Sequence, residues 1–454
     1  MADIVPIDTP TLGDRSYLIA EDGVAIVVDP QRDIDRVLAL VEARDLRVTH
    51  VLETHLHNDY VSGGLELTRR TGATYVVSGE DDVAFERHEV FDGQTVDLLS
   101  DLAVRAVKTP GHTFTHLSYV LERAGRPVAA FTGGSLLYGS TGRTDLLGAE
   151  HAAALAHAQH RSARRLADLL PPEAEIYPTH GFGSFCAATQ VSSTTSTIGA
   201  EARTNPALIL AENDYVDQLL AGLDAYPAYY ARMAPTNAAG PAPVDLSPPA
   251  RADAGELRRR LDAGEWVVDL RSRRAFARGH VPRTLNFGLD GSAATYLGWL
   301  LPWGAPLTLL AESPEQIAET QRELVRIGID RPAAAAVGTP ADWVGPEGTA
   351  SLRVAGFADL CAELRRRAPE IVVLDTRLNG EWRRSHLRGA RHIPLHELPA
   401  RLAEVPPGEV WVHCASGYRA ATAASLLARS GRDVVLVDDN YDENATATGL
   451  TAPN

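Results

Sequence analysis

A chain of 454 residues with 45% hydrophobic and 22% charged side chains has an ordinary globular composition and the length for about three domains. Its formal net charge of −16 argues against broad binding to nucleic acid or to an anionic membrane, since either partner needs a basic surface; a local basic pocket stays open. The opening "MADIVPIDTPTLGDRSYLIAEDG" has neither the basic start nor the apolar core of a secretory signal, and no run of about 18 apolar residues occurs, so a cytoplasmic, membrane-free protein is expected. With only Cys186, Cys361 and Cys414 present, a disulfide framework is not expected and each thiol is judged by its surroundings.

Through about residue 235, the apolar runs "VAIVVD", "VTHVL", "TYVVS", "LAVRAV", "VAAF" and "EIYP" end in polar, Gly-containing turns with helical patterns between them, which predicts mixed α/β structure. Residues 236–252 belong to "APTNAAGPAPVDLSPPARADAG", rich in Pro, Ala and Gly without periodicity, and are expected to form a linker. The remainder holds an internal repeat. "VVDLRSRRAFARGHVP" and "VLDTRLNGEWRRSHLRGARHIP" both run apolar strand, Asp-x-Arg, then histidine, with the same spacing from Asp269 to His280 and from Asp375 to His386. The copies lie 106 residues apart, too far for a solenoid repeat. Two small duplicated domains are expected, at 253–346 and 352–445, each with a parallel sheet covered by helices.

Four strands of the first region deliver polar residues at their trailing ends. His55, His57 and Asp59 follow "VTHVL", His112 follows "LAVRAVK" in "TPGHT", "TGGS" follows "VAAF", and His180 follows "EIYP" in "THG". If those ends share one edge of the fold, imidazoles and a carboxylate converge, the usual way to build a metal centre from residues distant in sequence. The i, i+2 spacing of His55, His57 and Asp59 suits a loop, since a helix would scatter them. The competing reading is loop histidines satisfied by hydrogen bonds, against which the separate strand-end histidines beside H-x-H-x-D weigh.

These motifs resemble the metallo-β-lactamase fold, and "TPGHTFTHLSYVL", "GRTDLLG" and "HGFGSFC" look most similar to its persulfide dioxygenase branch, over roughly the first 200 to 235 residues. The resemblance implies an αββα sandwich and a mononuclear iron on two histidines and an aspartate, converting glutathione persulfide and oxygen to sulfite and glutathione. Its histidines are His55 and His112, and its aspartate position holds Gly134. The dinuclear members' second metal position is altered too, because Tyr60 stands where they have a histidine. Three outcomes stay open: iron held by two histidines, zinc on His55, His57 and His112, or a metal-free pocket or platform. Asp59 and Asp145 are candidate compensating carboxylates. Tyr60 either bonds a substrate or ligated water in the pocket or fills the missing histidine's space; Cys186 is either a redox thiol or small buried packing.

In the last region "EVWVHCASGYRAATAASLLARSG" runs from an apolar strand into Cys414, a turn, and a helical stretch stopped by Gly431. A cysteine beneath the N–H groups of a helix N-terminus is favoured as thiolate, and Arg419 adds positive charge. A buried structural cysteine is the competing reading, weakened because C-x-x-G-x-R supplies Gly417 and Arg419 together. "LDTR", "HLRGARHIP" and "HCASGYRA" resemble a rhodanese domain. The resemblance implies that Cys414 carries sulfane sulfur from thiosulfate or a persulfide to a thiol or cyanide, with Ala415, Ser416, Gly417 and Tyr418 lining the persulfide loop. The first copy has "PLTLLAESPEQ" at the equivalent place and no cysteine, which resembles an inactive rhodanese. The Asp-x-Arg pairs are expected to be structural, and Cys361 in "FADLCAELRRR" to be core.

The fold expected is therefore α/β, a metallo-β-lactamase sandwich followed by two rhodanese-like domains. The expected function is sulfur transfer through Cys414 beside a persulfide dioxygenase-like domain, in sulfide-detoxifying metabolism, with Fe(II), Zn or no metal. The alternatives are a zinc thioester hydrolase resembling glyoxalase II and a non-enzymatic persulfide sensor or scaffold. Small-molecule sulfur donors and a thiol acceptor are the expected partners, and the resemblance allows a homo-oligomer.

Overall fold

The structure, a computed structural model, describes residues 2–188, 194–345, 348–367 and 370–452. It divides into two units, residues 1–244 with 325–328, and residues 245–324 with 329–454. The boundary expected at 346 lies outside the described residues.

In the first unit a six-stranded sheet follows chain order: Asp3–Thr9, Asp14–Glu21, Val24–Val28, Arg47–Leu52, Thr74–Ser78 and His88–Val90. Val24–Val28 is apolar throughout because helices cover one face and a second sheet the other; all five of its residues are buried. The second sheet has five strands in the order Glu175–Pro178, Arg126–Gly133, Leu117–Arg123, Leu102–Lys108 and Thr95–Asp97. Tyr17, Ile26 and Leu52 of one sheet and Val104, Tyr119 and Phe131 of the other share one core cluster. Outside the first sheet, the helix Asp35–Ala43 buries Val37 and Val41, one turn apart. Outside the second, the helix Ala152–Leu169 buries Leu155, Ala156, Ala163 and Leu166. The result is the αββα sandwich expected.

Every strand read from the sequence in this region forms. The first two strands and Leu117–Arg123 were not singled out there; they pair antiparallel with their neighbours. The helix Tyr230–Ala239 runs into the stretch read as linker.

The second unit holds two parallel sheets. One orders its strands Leu285–Asn286, Trp266–Asp269, Leu307–Ala311, Ala334–Val337; the other Arg353–Ala355, Val434–Val437, Glu409–His413, Ile371–Asp375, Arg391–His392. The duplication is visible in side-chain geometry. Arg271 grips Asp269 at 2.6 Å and donates to the Gly279 carbonyl; Arg377 grips Asp375 at 2.7 Å and donates to the Ser385 carbonyl. His280 stacks on Phe276 and His386 on Trp382. Both ion pairs are buried, as expected of a structural clasp. Cys361 is buried on the helix Phe357–Arg367. After Val434–Val437 a π-helical turn, Tyr441–Ala445, buries Tyr441 under the Arg377 guanidinium, 3.5 Å from the ring centre, and further on Thr451–Ala452 pairs with His386–Leu387. Among the described residues no helix is long and apolar enough to cross a membrane.

Candidate functional site

The strand ends of the first unit do converge. His55, His57, Asp59, His112, Gly134 and His180 are all buried. Ring centres lie 4.9 Å apart for His55 and His112, 5.2 Å for His112 and His180, and 5.4 Å for His55 and His180. The Nε2 atoms of His55 and His180 are 3.4 Å apart. The donor atoms of His55, His112 and His180 fall within 4.8 Å of one another, as do those of His57, Asp59 and His180.

Local partners fix each ring. Thr54 donates its backbone N–H and its hydroxyl to Asp29, both at 2.7 Å, so its oxygen is left to accept from His55 Nδ1 at 2.9 Å. His112 Nδ1 lies 2.8 Å from the Arg143 carbonyl, and His180 Nδ1 lies 2.9 Å from Asp14 Oδ1. His57 turns Nε2 toward Glu53 at 3.2 Å and Asp29 at 3.4 Å, with the Tyr60 hydroxyl at 2.9 Å. Its Nδ1 and the Nε2 of His112 are buried without a hydrogen-bond partner. An unsatisfied buried nitrogen costs about 1–3 kcal/mol, which an ion among these imidazoles would relieve. The residues present therefore fit a metal.

Burial and His180's charge push the His112 imidazole down to about 3, and burial with neighbouring histidines holds His55 well below its ordinary range. Burial works the same way on His57 and His180, but Asp29 and Glu53 raise His57 to about 9, and Asp59 with Asp14 raises His180 to about 10. Asp14 itself is lifted to about 8 by burial and by Asp59, while Asp59, despite burial, is held down by His180. Without metal, the array is thus two neutral imidazoles beside two imidazolium–carboxylate clusters.

Several readings are decided here. Tyr60 is fully buried: its ring stacks on His57 at 4.2 Å, and its hydroxyl lies between His57 and the Asp29 carbonyl. Asp145 cannot replace the carboxylate missing at Gly134, because Arg143 holds both its oxygens at 2.7 and 2.8 Å. Cys186 is fully buried, and burial together with the charge of Asp59 pushes its thiol well up, which fits the packing reading. Sequence reasoning missed Asp14, Glu53 and Asp29. It also missed His116, whose Nε2 accepts the Gly134 N–H at 3.0 Å; its only sequence signal was its place four residues after His112.

In the second unit Cys414 directly follows the strand Glu409–His413 and is 1% exposed. Gly417, at φ +92°, caps the twelve-residue helix Tyr418–Arg429 and donates its N–H to Cys414 Sγ at 3.2 Å. A side chain at 417 would be strained there and would strike Asp438. Arg419 is not a free cation: Glu381 holds it at 2.6 and 2.7 Å. The cysteine-free copy reaches this loop. Arg273 binds Asp438 at 2.7 Å and the Ser416 carbonyl at 3.4 Å, and the Tyr418 hydroxyl donates to the Gly288 carbonyl at 3.1 Å.

A buried histidine cluster at the strand ends of an αββα sandwich defines a metallo-β-lactamase-fold protein, and residues 13–180 match the metallo-beta-lactamase superfamily. The chain belongs to that superfamily and carries, at residues 358–445, a rhodanese-like domain. A hydroxyacylglutathione hydrolase of Actinobacillus pleuropneumoniae serotype 5b (strain L20) is 31% identical over 183 residues, 40% of this chain and 71% of that protein. One from Acidiphilium cryptum (strain JF-5) is 36% identical over 118 residues, 25% of this chain; the match spans about half of that relative's length, 48%. The crystal structure of a metallo-beta-lactamase from Staphylococcus aureus subsp. aureus COL superposes with a TM-score of 0.65 at 27% identity, covering 74% of this chain and 98% of that one.

Proposed function

We propose that this chain is an enzyme that transfers sulfane sulfur through a persulfide on Cys414. The observation that carries the reading is the thiol's position: Cys414 follows a strand directly, and its Sγ accepts the Gly417 N–H at 3.2 Å at the N-terminus of a twelve-residue helix. Cys414 thiolate attacks the outer sulfur of thiosulfate or a persulfide; the new S–S bond forms as the donor's breaks, and the donor leaves as sulfite or thiolate with the bonding pair. A thiol acceptor, as thiolate, then attacks that outer sulfur, and Cys414 departs as thiolate. The Gly417 N–H and the helix dipole stabilise negative sulfur at each stage. Arg419, bound by Glu381, shapes the loop. Cys414→Ser in the full chain is expected to reduce transfer from thiosulfate or glutathione persulfide to the background rate, and undiminished transfer would contradict the reading.

For the first unit, the reading is a metal-dependent centre acting on a glutathione-linked sulfur, with His55, His112 and His180 able to hold the ion and Thr54, Arg143 and Asp14 orienting them. Bound iron would supply oxygen activation, and bound zinc a Lewis acid. "TPGHT" and "HGFGSFC" support persulfide oxidation; the names of the relatives support thioester hydrolysis. Oxygen uptake with glutathione persulfide, against thiol release from S-lactoylglutathione, separates the two.

A further inference from the structure

In the second unit, the segment of the cysteine-free copy that leaves its strand Leu285–Asn286 is fastened along the helix that begins beside Cys414. The Asn286 N–H donates to Ser425 Oγ at 3.1 Å, the Thr422 hydroxyl donates to the Asn286 carbonyl at 3.0 Å, and the Tyr418 hydroxyl donates to the Gly288 carbonyl. Gly291 then passes so close to Tyr418 that a Cβ there would strike its ring. In the helix Ala293–Leu300 that follows, Tyr296 and Trp299 stand three residues apart on one face, their rings stacked. Tyr296 rests on the Tyr418 ring with centres 5.6 Å apart, and Trp299 stacks on His396 at 4.8 Å. Both of those outer rings belong to the cysteine-bearing copy, so the position of Tyr296 against the Cys414 loop is fixed on two sides.

Tyr296 is partly exposed, and its hydroxyl makes no hydrogen bond among the described residues. Burial raises the acidity constant of this phenol above its ordinary value; Arg419 works against that, and Cys414 and Glu381 add to it. The hydroxyl therefore keeps its proton at neutral pH and stands in the field of the Cys414 loop as a donor without an acceptor. A ring that only filled the gap between the copies would have no use for that oxygen.

Loading of Cys414 creates the acceptor. Three sulfurs stand in line: Cys414 Sγ, the travelling sulfur, and the sulfur that departs with the donor. The Gly417 N–H, 3.2 Å from Sγ, serves the Cys414 end. Arg419, held by Glu381 through two nitrogens, is not free to serve the other. We propose that Tyr296 of the cysteine-free copy is a further catalytic residue of the Cys414 site, its hydroxyl donating a hydrogen bond to the departing group as Cys414 is loaded. The Sγ–S bond forms as the donor's S–S bond breaks, the bonding pair goes to the departing sulfur, and the hydroxyl stabilises the charge gathering there without giving up its proton. The proposal rests on sulfur transfer through Cys414.

The test mixes full-length wild type, Tyr296→Phe and Cys414→Ser with glutathione persulfide and follows single-turnover loading of Cys414 by rapid quenching and peptide mass spectrometry, with circular dichroism to verify folding. Tyr296→Phe keeps the ring and its contacts with Tyr418 and Trp299, so a packing role predicts loading as fast as in wild type. The proposal predicts loading slower by about ten- to hundredfold, the range for one hydrogen bond to a charged group. The loss should lie in the limiting rate, because the bond strengthens only as the charge develops. A Tyr296→Phe that loads like wild type overturns the proposal and leaves transfer through Cys414 standing, and so does a loss confined to the donor concentration needed for half the limiting rate. A wild type whose Cys414 takes up no sulfur overturns the transfer reading itself and the proposal with it.

Discussion

His112 sits between Gly134 and Gly142 with no space to spare, so the smallest change at 134 reports on the whole centre. Gly134→Ala is expected to cost about 1–3 kcal/mol by overpacking and to displace His112, which urea unfolding and metal content together measure; a variant as stable and as metal-competent as wild type would show that the slot is loose. A second residue gives a pH signature away from the centre. Burial raises the Asp81 carboxyl to about 6, against the Thr115 hydrogen bond and the Arg87 charge that lower it. The folded chain keeps this proton where the unfolded chain has lost it. The stabilisation is therefore complete below about pH 4 and lost as the pH rises through about 6, roughly 3 kcal/mol over the window. Asp81→Asn should gain on wild type as the pH rises from about 4 to about 6 and keep that lead above it; profiles that run parallel across that window would refute the assignment. At this scale the sequence was legible where residues cluster, as in "HLHNDY" and "HCASGYR". It was not where a single residue acts across the fold: Asp14 meets His180 166 positions away, a pairing no local spacing announces.

Among elements, strands with apolar runs were readable because burial on both faces leaves no polar position, as in Val24–Val28. Asp3–Thr9 was not, because it lies at the sheet edge with mostly exposed or half-buried residues and contains Pro6. The repeated Asp-x-Arg and histidine pattern was readable, and its geometry recurs in both copies, because each arginine must satisfy a buried aspartate and a carbonyl eight residues on. What the pattern did not reveal is how the cysteine-free copy touches the other. Arg273 supplies one of two arginines to Asp438, whose side chain is 3% exposed, and also caps the Ser416 carbonyl in the Cys414 loop. Losing one partner of a buried ion pair can cost 3–5 kcal/mol, but Arg274 stays bound at 2.9 Å. Arg273→Ala should thus destabilise by about 1–2 kcal/mol and slow sulfur transfer, while Arg274→Ala, 71% exposed, should do less on both counts. Equal effects would show that the loop is not held through Arg273.

Over the whole molecule, the α/β class and the duplication followed from strand–helix alternation and the internal repeat, the sandwich from the resemblance of its motifs, and the family matches at 13–180 and 358–445 fall where the two motif sets lie. The presence of both a histidine cluster and a cysteine loop on one chain suits a reactive sulfur intermediate, because a shared chain raises its effective concentration at the second site. That advantage requires a persulfide to exist on Cys414. The most direct test is intact-protein and peptide mass spectrometry of the full chain after exposure to glutathione persulfide or thiosulfate and removal of the donor. The account predicts one added sulfur atom on the Cys414 peptide, discharged by a thiol acceptor and absent from the Cys186 and Cys361 peptides. An unmodified Cys414 under both donors, in protein verified to be folded, would contradict it.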